Sequence, residues 1–193
     1  ICLLGHSGAG KTSLLEAVLL YTKATDRFGK TLDGNSVSDY DPEEIKRGIE
    51  KLQPVSGRFN IIETEKYTIV DDCYNANPVS MEAAMDVLSH AKGRTIAVLG
   101  DMGELGEDEK ALHFGVGKCV AEKKIHTLFC AGTLAAEYKA GVESIENDCK
   151  VFHFENKDDM ITELCSYVKE GDNILIKASH FMDFPKVVEA LTK

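Results

Sequence analysis

Tyr67-Thr68-Ile69-Val70-Asp71-Asp72-Cys73-Tyr74-Asn75-Ala76-Asn77-Pro78-Val79-Ser80-Met81 reads as three pieces in a fixed order. A short apolar run from Tyr67 to Val70 ends in two acids. A polar turn follows. Asn77 and Pro78 then have the chemistry of a helix cap and a first helical residue. Beyond them Met81, Ala84, Met85 and Leu88 recur at i, i+3, i+4 and i+7, which puts them on one helical face. Strand, polar loop and helix in this order place the loop at the carboxyl end of a strand, where open parallel sheets bind ligands. Asp72, Asn75 and Asn77 are therefore candidate ligand contacts. The competing reading is that the same acids and amides only shape the turn and cap the helix.

The rest of the chain after Phe59 repeats the pattern. Phe59 to Ile62 and Tyr67 to Val70 flank a short polar stretch and read as a hairpin. Strands are expected at Thr95–Leu99, Thr127–Cys130, Val151–Phe154 and Asn173–Ile176. Helices are expected at Glu107–Lys123, around Leu134–Gly141, at Asp158–Lys169 and at Asp183–Leu191. This alternation predicts an α/β fold with an open, mostly parallel sheet and helices on both faces. The strand-end loops would share one rim: Asp71 to Asn77, Gly100-Asp101 to Gly106, Ala131-Gly132, and Lys177 to His180. Asp101 and Glu104 are either ligand contacts or an exposed acidic turn that caps the next helix. Lys177, Ser179 and His180 are either ligand contacts or a solvated loop. Ser179 and His180 are adjacent, so their side chains diverge and do not suit a catalytic triad. His113, His126 and His153 fall on the buried side and read as structural.

Composition narrows the function. A net charge of −10 argues against a nucleic-acid surface, which needs clustered Lys and Arg. No stretch is long and apolar enough to span a bilayer, and no signal peptide is visible. The six cysteines lack CxxC or Cys/His metal spacing. Cys2 and Cys130 fall in strands, Cys119 and Cys165 on apolar faces. Reduced thiols in a cytoplasmic protein are the expectation. The chain opens on Ile1, inside an apparent strand, so a start upstream of it is expected. Nothing in the sequence fixes an oligomeric state.

The amino-terminal stretch carries its own motif. Ile1 to Leu4 is apolar, and Gly5-His6-Ser7-Gly8-Ala9-Gly10-Lys11-Thr12 matches the P-loop pattern in full. Glycines such as Gly5 and Gly10 let backbone N–H groups turn toward phosphates. Lys11 would reach the β- and γ-phosphates, and Thr12 would hold Mg²⁺. A helix bearing Leu14, Leu15, Val18 and Leu19 follows. Together with Thr25-Asp26-Arg27-Phe28-Gly29 and the run from Ser38 to Glu44, residues 1–48 resemble the GTPase domain of translational factors of the elongation factor G kind. That resemblance implies GTP at the P-loop fragment. A working GTPase also needs a DxxG, and none stands in a suitable place. Asn156-Lys157-Asp158-Asp159 fits the guanine motif NKxD, but it opens a helix, and polar residues at a helix start are ordinary caps.

A second resemblance covers more of the chain. Pro54-Val55-Ser56-Gly57-Arg58, the run Asp71 to Pro78, Gly100-Asp101-Met102-Gly103-Glu104-Leu105-Gly106 and Lys177-Ala178-Ser179-His180-Phe181 occur in the order of a Mur ligase. From about Glu43 onward the chain resembles the end of the central domain and the whole carboxyl-terminal domain of that family, in its D-alanyl-D-alanine-adding branch. The resemblance implies a Rossmann-like domain at 58–193, preceded by a junction at 49–57 and the P-loop strand–loop–helix at 1–48. It implies ATP and Mg²⁺ as cofactors, and an acyl phosphate attacked by an amine. Asp72, with Asn75 and Asn77 nearby, would face the nucleotide's ribose. Asp101, Glu104, Lys177, Ser179 and His180 would face the incoming D-alanyl-D-alanine. The family's own P-loop, metal ligands and UDP-binding domain are missing from the chain, so it is expected to be incomplete and inactive alone. A GTP-binding switch protein and a non-catalytic α/β module are the alternatives.

Overall fold

The computed structural model describes residues 57–193. These fall within the second of two units of the chain, Pro54–Lys193. The expectations for Gly5, Gly10, Lys11, Thr12 and the remainder of 1–48 lie outside the described residues.

Six strands form one sheet in the order β1-β2-β6-β3-β4-β5. They are β1 (Asn60–Glu63), β2 (Thr68–Asp72), β3 (Thr95–Gly100), β4 (Thr127–Ala131), β5 (Lys150–Phe154) and β6 (Asn173–Lys177). The helices are α1 (Pro78–Ser89), α2 (Glu109–Glu122), α3 (Ala135–Glu143), α4 (Lys157–Tyr167) and α5 (Pro185–Thr192). β1 and β2 make the expected hairpin, with Ile61 opposite Val70, and every other pairing is parallel. β3 and β4 are buried at every position, which is why they read as continuous apolar runs rather than alternating ones.

Alternation along the strands sorts two cores. Ala97, Leu99, Leu128, Cys130 and Leu175 pack with Met81 and Met85 of α1, Val116 and Val120 of α2, and Tyr138 of α3. Their neighbours Ile96, Val98, Phe129, Ile174 and Ile176 pack with Met160 and Leu164 of α4 and Val187, Val188 and Leu191 of α5. The chain therefore runs from β2 through β5 with its helices on one face, and returns through α4 on the other face to insert β6 between β2 and β3. The amino ends of the strands are closed by Arg94, which donates from Nε and one Nη to Asp172 at 2.8 and 2.6 Å.

Several boundaries differ from the sequence expectation. β2 continues through Asp71 and Asp72, because Ile176 and Lys177 of β6 pair with them. The helix expected from Glu107 begins with a 3-10 turn at Gly106–Asp108, and α2 proper starts at Glu109. The last helix starts at Pro185 because Asp183 sits in the left-handed region, at φ 54°. His153, expected on the buried side, is exposed, since β5 is the sheet's edge. Cys165 is also exposed. His113 is fully buried, and His126 is tied to Thr95 by hydrogen bonds of 2.8 and 3.1 Å.

α2 and α3 approach closely through two glycines. A Cβ added at Gly117 would lie 2.1 Å from the Tyr138 carbonyl oxygen, and one at Gly141 would lie 2.1 Å from that of Phe114. Gly115, two residues before Gly117 on the same helix, has open space around it. Gly115→Ala is expected to stabilise the domain by about 0.5–1 kcal/mol through helix propensity. Gly117→Ala is expected to destabilise it by about 1–3 kcal/mol through overpacking. Urea denaturation of the two variants checks the opposite signs.

Candidate functional site

A cleft of about 380 Å³ opens at the carboxyl ends of β2, β6 and β3, lined by Tyr74, Asn75, Gly103, Glu104, Ser179, His180 and Phe181. The topology explains its position. β6 is inserted between β2 and β3 by a crossover on the opposite face, so the loops leaving these neighbouring strands part and leave a crevice. Three separate stretches of sequence meet there.

The β2 loop is held from inside. Lys177, 2% exposed at its side chain, donates to Asp72 Oδ2 at 2.5 Å and to the Asn75 carbonyl at 2.9 Å. The other Asp72 oxygen accepts from the Phe59 backbone N–H at 3.1 Å. A buried ammonium needs such partners, because burying a lone charge costs several kcal/mol, about 3–5 when one member of a pair is removed. Asn77 caps α1 in a reciprocal box: Ser80 N–H donates to its side chain at 2.9 Å, and its own N–H donates to Ser80 Oγ at 3.1 Å. Asn75 Oδ1 accepts from Ala76 N–H at 2.8 Å, with the residue itself exposed to the cleft. Arg58 lies over the Tyr74 ring at 4.2 Å, and the His180 ring meets Tyr74 edge-on at 6.2 Å.

The β3 loop is pinned at four backbone groups. The Tyr138 hydroxyl donates to the Gly100 carbonyl at 2.9 Å. Ser179 N–H donates to the Asp101 carbonyl at 3.2 Å, and Gly103 N–H donates back to Ser179 Oγ at 2.8 Å. Met102 N–H donates to His113 Nε2 at 2.9 Å. Asp101 is neither an exposed acidic turn nor a cleft residue. Its buried carboxylate accepts from Thr133 N–H at 2.8 Å, Thr133 Oγ1 at 3.0 Å and Leu134 N–H at 3.2 Å, where the chain enters α3. Gly132, at φ 136°, makes room, since a Cβ there would fall 2.3 Å from Asp101 Oδ1. Glu104 then follows at φ 60°, exposed at the cleft. A non-glycine residue there is strained by about 1–2 kcal/mol.

Of the residues singled out in the sequence, Asn75, Glu104, Ser179 and His180 meet at the cleft, while Asp72 and Lys177 brace the β2 loop, Asn77 caps α1 and Asp101 supports the turn into α3. Sequence reasoning passed over Tyr74, Gly103 and Phe181. The available signal was an aromatic residue inside each of two polar strand-end loops. A Cβ at Gly103 would lie 2.9 Å from the exposed Phe181 ring, so the glycine lets that ring sit close against the β3 loop. The Asn156 run is a cap: Asn156 Oδ1 accepts from Asp159 N–H at 3.0 Å, and Lys157 donates to the Met182 and Asp183 carbonyls. Lys186, then Lys157, hold the Asp183 carboxyl below its ordinary range.

Two buried thiols near the strand ends are disfavoured as thiolates. Burial, then Asp71, pushes the Cys73 thiol far up, and burial pushes Cys130 up to about 12. Among the described residues no group of three or more His, Cys, Asp or Glu could hold a metal ion. Among them, too, no helix is long and apolar enough to cross a membrane.

Comparison with known proteins identifies the family. The family model for the Mur ligase glutamate ligase domain matches residues 57–180. The chain is similar to the UDP-N-acetylmuramoyl-tripeptide–D-alanyl-D-alanine ligase of Bacillus subtilis, at 34% identity over 78% of this chain and 34% of the relative. It is similar to the ligase of the same name from Escherichia coli, at 35% identity over 77% of this chain and 32% of the relative. It thus spans about a third of the length of these curated relatives. Among solved structures, MurF from Acinetobacter baumannii superposes with a TM-score of 0.71 at 29% identity, over 79% of this chain and 34% of that one. MurF from Thermotoga maritima, in complex with ADP, gives 0.63 at 25% identity, over 97% of this chain and 39% of that one. The chain belongs to the Mur ligase family and carries that family's carboxyl-terminal domain.

Proposed function

We propose that this domain serves an ATP-dependent ligase that joins D-alanyl-D-alanine to a UDP-linked muramoyl tripeptide, and that its cleft receives the dipeptide. The observation that carries the reading is the convergence of three strand-end loops on one small cleft with a carboxylate, a hydroxyl, an imidazole and two aromatic rings. These groups suit a short zwitterion. The Glu104 carboxylate faces the ammonium. The Ser179 hydroxyl, already accepting from Gly103, keeps its own proton for the ligand's carboxylate, beside His180. Tyr74 and Phe181 offer apolar surface to the two methyl groups.

The nucleotide would meet the β2 side of the same rim. Asp72 retains lone pairs beyond the two hydrogen bonds it accepts, as an ionised carboxylate accepts about four. The exposed Asn75 lies next to it in the loop. Asp72 and Asn75 therefore fit the polar edge of a nucleotide, and the ADP bound in the similar Thermotoga protein supports ATP over GTP as that nucleotide. Among the described residues no cluster of three or more acidic, His or Cys ligands stands ready for a metal, so Mg²⁺ would be held mainly by the nucleotide's phosphates, which need only one or two carboxylates beside them. When bound, ATP supplies the phosphoryl group that activates a carboxylate for attack by an amine. The residues of this chain hold and orient that amine. Lys177 braces the rim through Asp72 and does not touch the dipeptide.

Two experiments test the assignment. In ¹H–¹⁵N spectra of the 193-residue chain, D-alanyl-D-alanine is expected to shift the amides of Gly103, Glu104, Ser179 and His180. Glu104→Gln is expected to weaken the binding by about tenfold, the loss of one charge-assisted hydrogen bond. Shifts confined to other surfaces, or equal affinity in the variant, would defeat the reading. For the brace, Lys177→Ala is expected to lower the unfolding free energy by about 3 kcal/mol, and Asp72→Asn with Lys177→Met to recover most of it. Denaturant titration of both variants reads the difference; a double variant as unstable as the single one would contradict a paired role.

A further inference from the structure

Resting on the cleft reading above, we infer that His113 is a positioning residue for the ligand site, acting through Met102 to fix the backbone that presents Glu104. The ring is fully buried in α2, beside Tyr138 at 4.8 Å between centroids. Both of its nitrogens are committed. Nδ1 lies 2.6 Å from the Glu109 carbonyl. A carbonyl only accepts, so Nδ1 carries the proton and Nε2 keeps the lone pair. That lone pair receives Met102 N–H at 2.9 Å. The helix therefore selects the tautomer, and the tautomer selects the loop.

The next residue is held from the other side, since Gly103 N–H donates to Ser179 Oγ at 2.8 Å. Two successive N–H groups are thus fixed, one to α2 and one to the loop after β6. With both directions set, the chain enters Glu104 at φ 60° instead of relaxing to an ordinary region. A phenyl ring would fill the same space against Tyr138, so packing alone does not account for an imidazole here. What the imidazole adds is an acceptor under Met102.

The test uses two variants of the full chain. His113→Phe keeps an apolar ring and removes the acceptor. His113→Gln returns a side-chain carbonyl at similar reach. In His113→Phe, amide hydrogen exchange at Met102 and Gly103 is expected to accelerate by about tenfold, with the β3 amides of Ile96 to Leu99 unchanged. Affinity for D-alanyl-D-alanine falls by a similar factor. His113→Gln restores both to within about threefold. Unchanged exchange at Met102 in His113→Phe overturns the inference. So does acceleration spread equally over the sheet, or a His113→Gln variant that behaves like His113→Phe. A parent chain that shows the expected exchange pattern but binds no dipeptide supports the positioning role and removes the ligand assignment of the preceding section.

Discussion

A lysine ammonium buried at the end of a central strand has to be neutralised by something within reach, and in this domain Asp72 does it. The pair joins β6 to β2 at the rim, and Lys177 also holds the Asn75 carbonyl. It can form only because β6 enters the sheet between β2 and β3. The strand insertion creates the crevice, and the ion pair keeps its β2 wall in place. Without that neutralisation Lys177 would have to leave the interior, and the loops beside it would separate.

The rest of the rim follows the same logic of inward polar groups. Asp101 spends its carboxylate on the turn into α3, so the β4 loop becomes a support instead of a wall. Ser179 links the β3 and β6 loops by accepting from one backbone group and donating its own N–H to another. Tyr138 and His113 reach the β3 loop from α3 and α2, which approach closely through Gly117 and Gly141. Helix packing far below the surface therefore determines where the cleft residues stand. Catalytic and binding groups on loops gain accuracy in this way, because rigid elements hold the loop backbone.

Much of this was legible in the sequence. Short apolar runs located the strands, period-3.6 patterns located the helices, and Asn77-Pro78 marked the start of α1. The loops from Asp71, Gly100 and Lys177 were recognisable as sharing one rim. The order of strands was not legible, since apolar runs such as Thr95–Gly100 and Asn173–Lys177 are equally suited to any central place. The roles of individual polar residues depended on that order. Lys177 reads as a solvated loop residue until β2 is placed beside it. Asp101 reads as a surface acid until Thr133 and Leu134, more than thirty positions later, fold against it. His153 reads as buried until β5 proves to be the edge. Local pattern determines elements, while long-range neighbours decide what a charge or an imidazole does.

The left-handed backbone at Glu104 sets two requirements against each other at a single position. Glycine would sit there without steric penalty, and a mirror-image residue would be at ease. An ordinary carboxylate-bearing residue is the uncomfortable choice. Stability and side-chain chemistry thus have different optima at this site, so ranking substitutions by folding free energy alone would favour the one that erases the acid.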